Sequence, residues 1–259
     1  MLLEVRDLNI SLSSGESVVE NISFQLDKGE MLSIVGSSGA GKTTICKAIM
    51  GLLGAVYHAE GEVLFQNENL LTLPERKRRM LYGKEICLIM QNPMTAFNPS
   101  IRVGRQLEKT YLLHQAKASR LEMRQLFSRT LQRLGLDDTE RILNSYPFAL
   151  SGGMLQRLMI AAALMCQPSL LVADEATTAI DACNRTGLMR ELKGLCKDGM
   201  SVLFVTHDLR SASVSDHILV MDRGKIVEQG KTEQILNAPK EEYTRYLLSA
   251  CRLERREMP

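Results

Sequence analysis

The sequence is most easily bounded by what it has little of. Its 259 residues include no tryptophan, and aromatic residues make up 5% of the chain. No run of about twenty apolar residues occurs, so nothing reads as a membrane span. The one long uncharged stretch, 158–173, is broken by Gln167, Pro168 and Ser169 into a helix end and a strand. Glu4, Arg6 and Asp7 interrupt the N-terminal apolar residues, which argues against a signal peptide. Net charge is +2, too small to argue for a nucleic-acid partner. The six cysteines (46, 87, 166, 183, 196 and 251) form no C-x-x-C pair, and the four histidines are scattered. This excludes a disulfide framework and a zinc site, and fits a reduced, cytosolic set of small buried residues. A soluble protein is expected, with any membrane role coming through a partner. What is present supports a sizeable core: 45% of residues are hydrophobic and 24% charged.

One stretch organises the rest. Gly36-Ser37-Ser38-Gly39-Ala40-Gly41-Lys42-Thr43 fits G-x-x-x-x-G-K-[ST], the phosphate-binding loop. An apolar run, 31–35, precedes it as a short buried strand, and Ile45, Ile49, Leu52 and Leu53 follow at helical spacing. Glycines let the backbone curl so that successive N–H groups face phosphate oxygens, and the following helix adds the positive end of its dipole. Lys42 is expected to reach the outer phosphates and the Thr43 hydroxyl to hold Mg²⁺, with Thr44 continuing the nucleotide-contacting set.

Alternating apolar residues in 2–10 and 18–26, and a third run at 62–66, predict an antiparallel sheet beside the phosphate-loop strand. The basic segment 73–82 reads as a solvated helix face. A buried strand at 85–90 ends in Gln91-Asn92-Pro93. From about 101 to 150 the pattern is helical: Ser119 with Glu122 predicts a capping box, followed by a stripe of Met123, Leu126, Phe127, Thr130, Leu131 and Leu134. A helix from 155 to about 166, strands at 170–173 and 202–205, a hairpin around Asp222-Arg223-Gly224, and a helical tail after Lys231 complete the chain. Alternating strands and helices around one phosphate loop imply an α/β core with a largely parallel sheet.

Two further stretches carry chemistry. The strand 170–173 runs into Asp174-Glu175. Asp174 suits Mg²⁺, which favours oxygen ligands, and Glu175 suits polarising a water aimed at the γ-phosphate. Leu150-Ser151-Gly152-Gly153-Met154 offers backbone amides and one hydroxyl at a helix start, hence a second anion site or an ordinary N-cap at Ser151. One nucleotide does not need two cradles; two domains facing head to tail do.

With these motifs in order, essentially the whole chain resembles the ATP-binding subunits of ABC transporters. Gly36 to Thr43 matches their Walker A motif, Gln91 the Q-loop, 150–154 the signature, Asp174-Glu175 Walker B, Ala179-Ile180-Asp181 the D-loop and His207 the switch histidine. The resemblance implies a RecA-like, mostly parallel P-loop NTPase core with an antiparallel β subdomain and an inserted α-helical subdomain. The implied division is an ATPase domain at 1–230 (core 1–95 and 159–230, helical insert 96–158) and a helical extension at 231–259. It implies ATP and Mg²⁺ as ligands, with Mg²⁺ held by Thr43, Gln91 and Asp174. Glu175, His207 and Gln91 carry catalysis, while Ser151, Gly152, Gly153 and Asp181 act across a dimer interface. The implied partners are a second ATPase subunit (a related paralogue or a second copy), two membrane-spanning permease subunits and, indirectly, an extracytoplasmic solute-binding protein. The implied location is the cytoplasmic face of the cell membrane.

More narrowly, 91–99 and 243–250 are similar to elements of the peptide and nickel importer subfamily, and Tyr146-Pro147-Phe148 before the signature resembles its nickel and metallophore branch. Met154 stands where Gln is usual, as in that branch, and Ala176 where Pro commonly follows the catalytic Glu. No aromatic residue lies between Ile10 and Val19, so no adenine-stacking residue is assigned. Only Cys251 lies near the tail, so no iron–sulfur cluster is expected.

Overall fold

The computed structural model describes residues 1–114, 119–177 and 182–253. The chain opens with two antiparallel strands, β1 (Leu3–Leu12) and β2 (Ser17–Leu26). Their apolar alternation changes phase midway, Leu3 and Val5 giving way to Leu8 and Ile10, yet all four are buried. The register shifts between Val5 and Leu8, where Asp7 takes a φ of +46°. A bulge therefore re-aims the strand so both halves feed one core.

Next comes β3 (Met31–Gly36), every residue of which is buried, then α1 (Lys42–Ile49). The helix is shorter than the spacing of Leu52 and Leu53 predicts. Gly51, at φ +61°, ends it: its N–H bonds the Ala48 carbonyl at 3.1 Å and the Leu52 N–H bonds that of Lys47 at 2.7 Å. This left-handed cap throws Leu52 into solvent. Strand β4 (Tyr57–Phe65) starts earlier than expected, and with the short β5 (Glu68–Asn69) it completes a four-stranded sheet in the order β2-β1-β4-β5. The basic helix α2 (Glu75–Leu81) has no buried residue, as a solvated face requires. It leads into β6 (Ile86–Ile89).

Helices α3 (Val103–His114), α4 (Arg120–Arg133) and α5 (Thr139–Asn144) follow. The capping box forms: the Ser119 hydroxyl accepts the Glu122 N–H at 3.2 Å, and Glu122 accepts the Ser119 N–H at 3.0 Å. Helix α6 (Gly152–Met165) begins directly at the signature glycines, so the expected boundary at 158/159 falls inside it. The remaining elements are β7 (Leu170–Asp174), α7 (Ala182–Lys197), β8 (Ser201–Thr206), α8 (Leu209–Ala212), the hairpin β9 (His217–Asp222) and β10 (Lys225–Lys231), then α9 (Thr232–Asn237) and α10 (Glu242–Leu253). They build a six-stranded sheet ordered β10-β9-β3-β8-β7-β6, parallel except for the β9–β10 hairpin.

The central strands read as unbroken apolar runs because both faces are covered. Successive side chains point oppositely. Leu171, Ala173, Val202 and Phe204 pack with Phe127, Leu131 and Leu155 of the helical segment. Leu170, Val172, Leu203 and Val205 pack with Val5, Ile22 and Val63 of the antiparallel sheet and Ile45 of α1. The six-stranded sheet is thus a wall between two cores, and its strand ends carry the chemistry.

Candidate active site

Parallel registry brings four distant segments to one edge. Val35 pairs with Thr206, Asp174 with Val205, and Ile89 with Ala173, so the phosphate loop, His207, Glu175 and Gln91 emerge together. This is the carboxyl edge, where open α/β sheets bind ligands.

The loop is shaped by its glycines. Gly41, at φ +93°, forms the N-cap of α1, and a Cβ there would sit 3.0 Å from the Val18 carbonyl. Gly36 lies against β9, where a Cβ would meet the Met221 carbonyl oxygen at 2.2 Å. Gly39 also has positive φ, with Ser37 and Ser38 exposed beside it and Ala40 buried beneath. Lys42 is buried, and its Nζ donates to the carbonyls of Gly36 (2.8 Å) and Ser37 (2.7 Å). Burial holds this ammonium below its ordinary pKa, against the opposing pull of Glu175 and Asp174. A desolvated cation folded under a curled loop is poised for anionic ligand oxygens.

Thr43 Oγ1 donates to Asp174 Oδ1 at 3.1 Å. Burial raises the Asp174 carboxyl above its ordinary value, the Thr43 hydrogen bond working the other way. Two hard oxygen donors side by side fit Mg²⁺, which takes few protein ligands and completes its shell with water and phosphate.

Glu175 is the hub. It follows β7 in the left-handed region, φ +48°, anchored by its N–H donating to the Val205 carbonyl at 2.9 Å. Such strain in a non-glycine residue persists where the surroundings enforce it. One carboxylate oxygen accepts Gln91 Nε2 at 2.6 Å; the other lies 3.5 Å from His207 Nδ1. The exposed Gln91 and His207 therefore flank one half-buried carboxylate.

Ser151 is solvent-facing and serves as the N-cap of α6, accepting the Met154 N–H at 3.3 Å. Gly152 and Gly153 open that helix. Met154 packs against the core of the helical segment, and Ala176 is fully buried. The expected interface residue Asp181 lies outside the described residues. Cys46, Cys87, Cys166 and Cys196 are buried free thiols.

Three residues beside the site are not among those the sequence assigns to it. Asp208 caps α8, accepting from Arg210 N (2.9 Å), Ser211 N (3.3 Å) and Ser211 Oγ (2.8 Å). Arg185 Nη1 reaches the same carboxylate at 3.4 Å, tying the segment after His207 to α7. Tyr243, from the far end of the chain, accepts the Ser37 N–H at 3.1 Å. Asp208 adjoins a motif histidine and sits at a helix start, which is a readable signal; Tyr243 opens a subfamily-like segment with nothing to tie it to the phosphate loop, and Arg185 carries no signal.

The ABC transporter family profile matches residues 19–178. The chain belongs to the ABC transporter family. It is 42% identical over 256 residues to the peptidoglycan transport ATP-binding protein YejF of Agrobacterium fabrum, covering 96% of this chain but 47% of that protein. It thus spans about half of that relative's length. It is 38% identical over 251 residues to the metal-staphylopine import system ATP-binding protein CntD of Staphylococcus aureus, covering 96% of this chain and 92% of the relative. Among solved structures it superposes on the dimeric bacterial ABC transporter cassette MJ0796 with a TM-score of 0.80 at 27% identity, covering 89% and 99% of the two chains. The same cassette in a post-hydrolysis state bound to ADP and Pi gives 0.79. The chain is accordingly an ATP-hydrolysing cassette of the peptide and nickel importer type, with the P-loop NTPase fold expected of it.

Proposed function

We propose that this chain energises the uptake of nickel, a metal–chelator complex or short peptides by an ABC importer. It works at the cytoplasmic face of the membrane, attached through two membrane-spanning permease subunits, while an extracytoplasmic binding protein delivers the solute. It pairs head to tail with a second ATPase subunit, a related paralogue or another copy of itself. Residues 36–44 hold the phosphates of one ATP, and Ser151, Gly152 and Gly153, with Asp181, serve the partner's. Residues 1–95 and 159–230 form the nucleotide-binding core, 96–158 the helical insert, with α6 running unbroken from the insert into the core, and 231–259 the extension.

Thr43, Asp174 and Gln91 would hold Mg²⁺, Gln91 through its amide oxygen. The ion would supply positive charge to offset the negative charge of the nucleotide's phosphates. Glu175 orients and polarises the attacking water, and His207 contacts the γ-phosphate. The observation that carries this reading is the single carboxylate of Glu175 bridged by Gln91 on one side and His207 on the other. That cluster can pass from closed to open as the γ-phosphate arrives, which is the form a nucleotide switch takes.

Glu175→Gln tests it. The substitution keeps the shape and removes the base, so turnover should fall by roughly 10²–10⁴-fold. Nucleotide binding should persist, and ATP should trap a dimer visible by size-exclusion chromatography. Hydrolysis close to the wild-type rate would remove Glu175 from the role.

A further inference from the structure

The last described helix reaches back to the phosphate loop. Its start is fixed by Glu228 of β10, which accepts the N–H groups of Lys240 (2.8 Å) and Glu241 (3.2 Å). Arg245 Nη1 closes the same turn by donating to the carbonyls of Pro239 (3.2 Å) and Lys240 (2.8 Å). One face of α10, made of Tyr243, Leu247 and Leu248, packs on a small separate core that includes Val35, Leu209 and Ala212. Val35 is the residue before Gly36, and Leu209 and Ala212 belong to the helix following His207. The helix therefore braces the two segments that handle phosphate. From it the Tyr243 hydroxyl crosses to accept the Ser37 N–H at 3.1 Å. Nothing in the ATPase cycle set out above uses this bond.

We propose that Tyr243 is a positioning residue for nucleotide binding, its hydroxyl holding the Ser37 amide so that the phosphate loop is preorganised. The proposal rests on the assignment of residues 36–44 as the phosphate site. A loop that samples other arrangements binds with an affinity reduced by the fraction of time it is competent. The bond links two residues 206 positions apart and joins the loop to α10. By linkage, whatever α10 docking adds to nucleotide affinity, nucleotide returns to α10 docking. The C-terminal helix is then a lever on ATP affinity, and any partner that lifts it weakens binding.

The test uses the full chain and two readouts that need no turnover. Fluorescent mant-ATP is titrated in EDTA against the wild type, Tyr243→Phe and Lys42→Ala. Hydrogen–deuterium exchange is followed over residues 242–250 with and without ATP. Tyr243→Phe keeps the ring and deletes one hydrogen bond, so the dissociation constant should rise about two- to tenfold. In steady-state assays with Mg²⁺ the loss should appear in KM rather than kcat. ATP should slow exchange in α10 of the wild type, and less so in the variant. A lowered melting temperature with an unchanged dissociation constant would make Tyr243 merely structural and overturn the proposal. So would α10 exchange that is indifferent to ATP in the wild type, a result independent of any variant. If Lys42→Ala instead binds mant-ATP like the wild type, the phosphate-site assignment itself fails.

Discussion

Replacing Gly36 by alanine tests how tightly the phosphate loop is fitted to its sheet. Gly36 pairs with Met221 across the β3–β9 ladder. Its φ is not left-handed, so the objection to a side chain is space alone. An added Cβ would lie 2.2 Å from the Met221 carbonyl oxygen, more than an ångström inside the 3.4 Å at which ordinary contact begins. That oxygen belongs to a strand held on both sides, by β3 and β10, and cannot swing away like a side-chain tip. β3 must part from β9 at the residue that starts the loop. Overpacking of this kind costs about 1–3 kcal/mol, which for a chain of this size lowers the melting temperature by roughly 2–12 °C. The loop start moves by about the same ångström, and a misplacement of that size can cost on the order of 10²-fold in turnover. Differential scanning calorimetry with and without Mg·ATP, beside steady-state hydrolysis, measures both. Gly194→Ala in α7 is the control: nothing lies within 4 Å of its Cβ and its φ is not left-handed. It should stabilise by about 0.5–1 kcal/mol through helix propensity alone. A Gly36→Ala protein with wild-type melting temperature and turnover would refute the packing argument.

Two other perturbations follow from the site. Asp174→Asn should raise the melting temperature of the nucleotide-free protein while abolishing hydrolysis, because burial makes the ionised carboxylate unfavourable. The sign follows from its raised pKa: the folded state binds the extra proton, so stability is lost as pH rises from the ordinary value of 3.8 through the folded one. The gap between variant and wild type should open over that window in pH-dependent melting curves and then stay constant. With Mg·ATP the order should reverse, since ligand stabilises only the form that binds it. Asp208→Ala removes the cap of α8 and the partner of Arg185. It should cost about 0.5–2 kcal/mol in stability by urea unfolding and lower kcat through His207, its neighbour in the chain. An unchanged kcat would show that the loop holds without it.

Much of this architecture could be read directly because its signals are local. The phosphate loop is eight consecutive residues, the Ser119 capping box spans four, and the β9–β10 turn announces itself in Asp222-Arg223-Gly224. The phosphate loop, Gln91, Asp174-Glu175 and His207 each follow a short apolar strand, so parallel pairing is enough to bring these four to one edge. What was hidden depends on partners far along the chain. Leu52 and Leu53 predict a longer α1 because they keep helical spacing past Gly51, where the backbone has already turned. Spacing shows which residues share a face, whereas the stop is written in one left-handed φ. The strain at Glu175 cannot be seen in its letter, which is an ordinary glutamate after a strand. Nothing in the sequence tells where Val202, Phe204 and Tyr243 each pack. Only the packing shows that the first two bury toward the helical segment while the third carries a hydroxyl to Ser37.

The placement of the chemistry on a single sheet edge has a consequence for how the protein comes into being. The loop at Gly36 and the histidine at 207 are neighbours only after β8 has slotted in beside β3, so some 170 residues of intervening chain must be in place before any complete pocket exists. Pairings of such long range form late and slowly. A chain that stops short of β8 therefore lacks the complete pocket, and nucleotide rewards most the molecules in which that strand has docked.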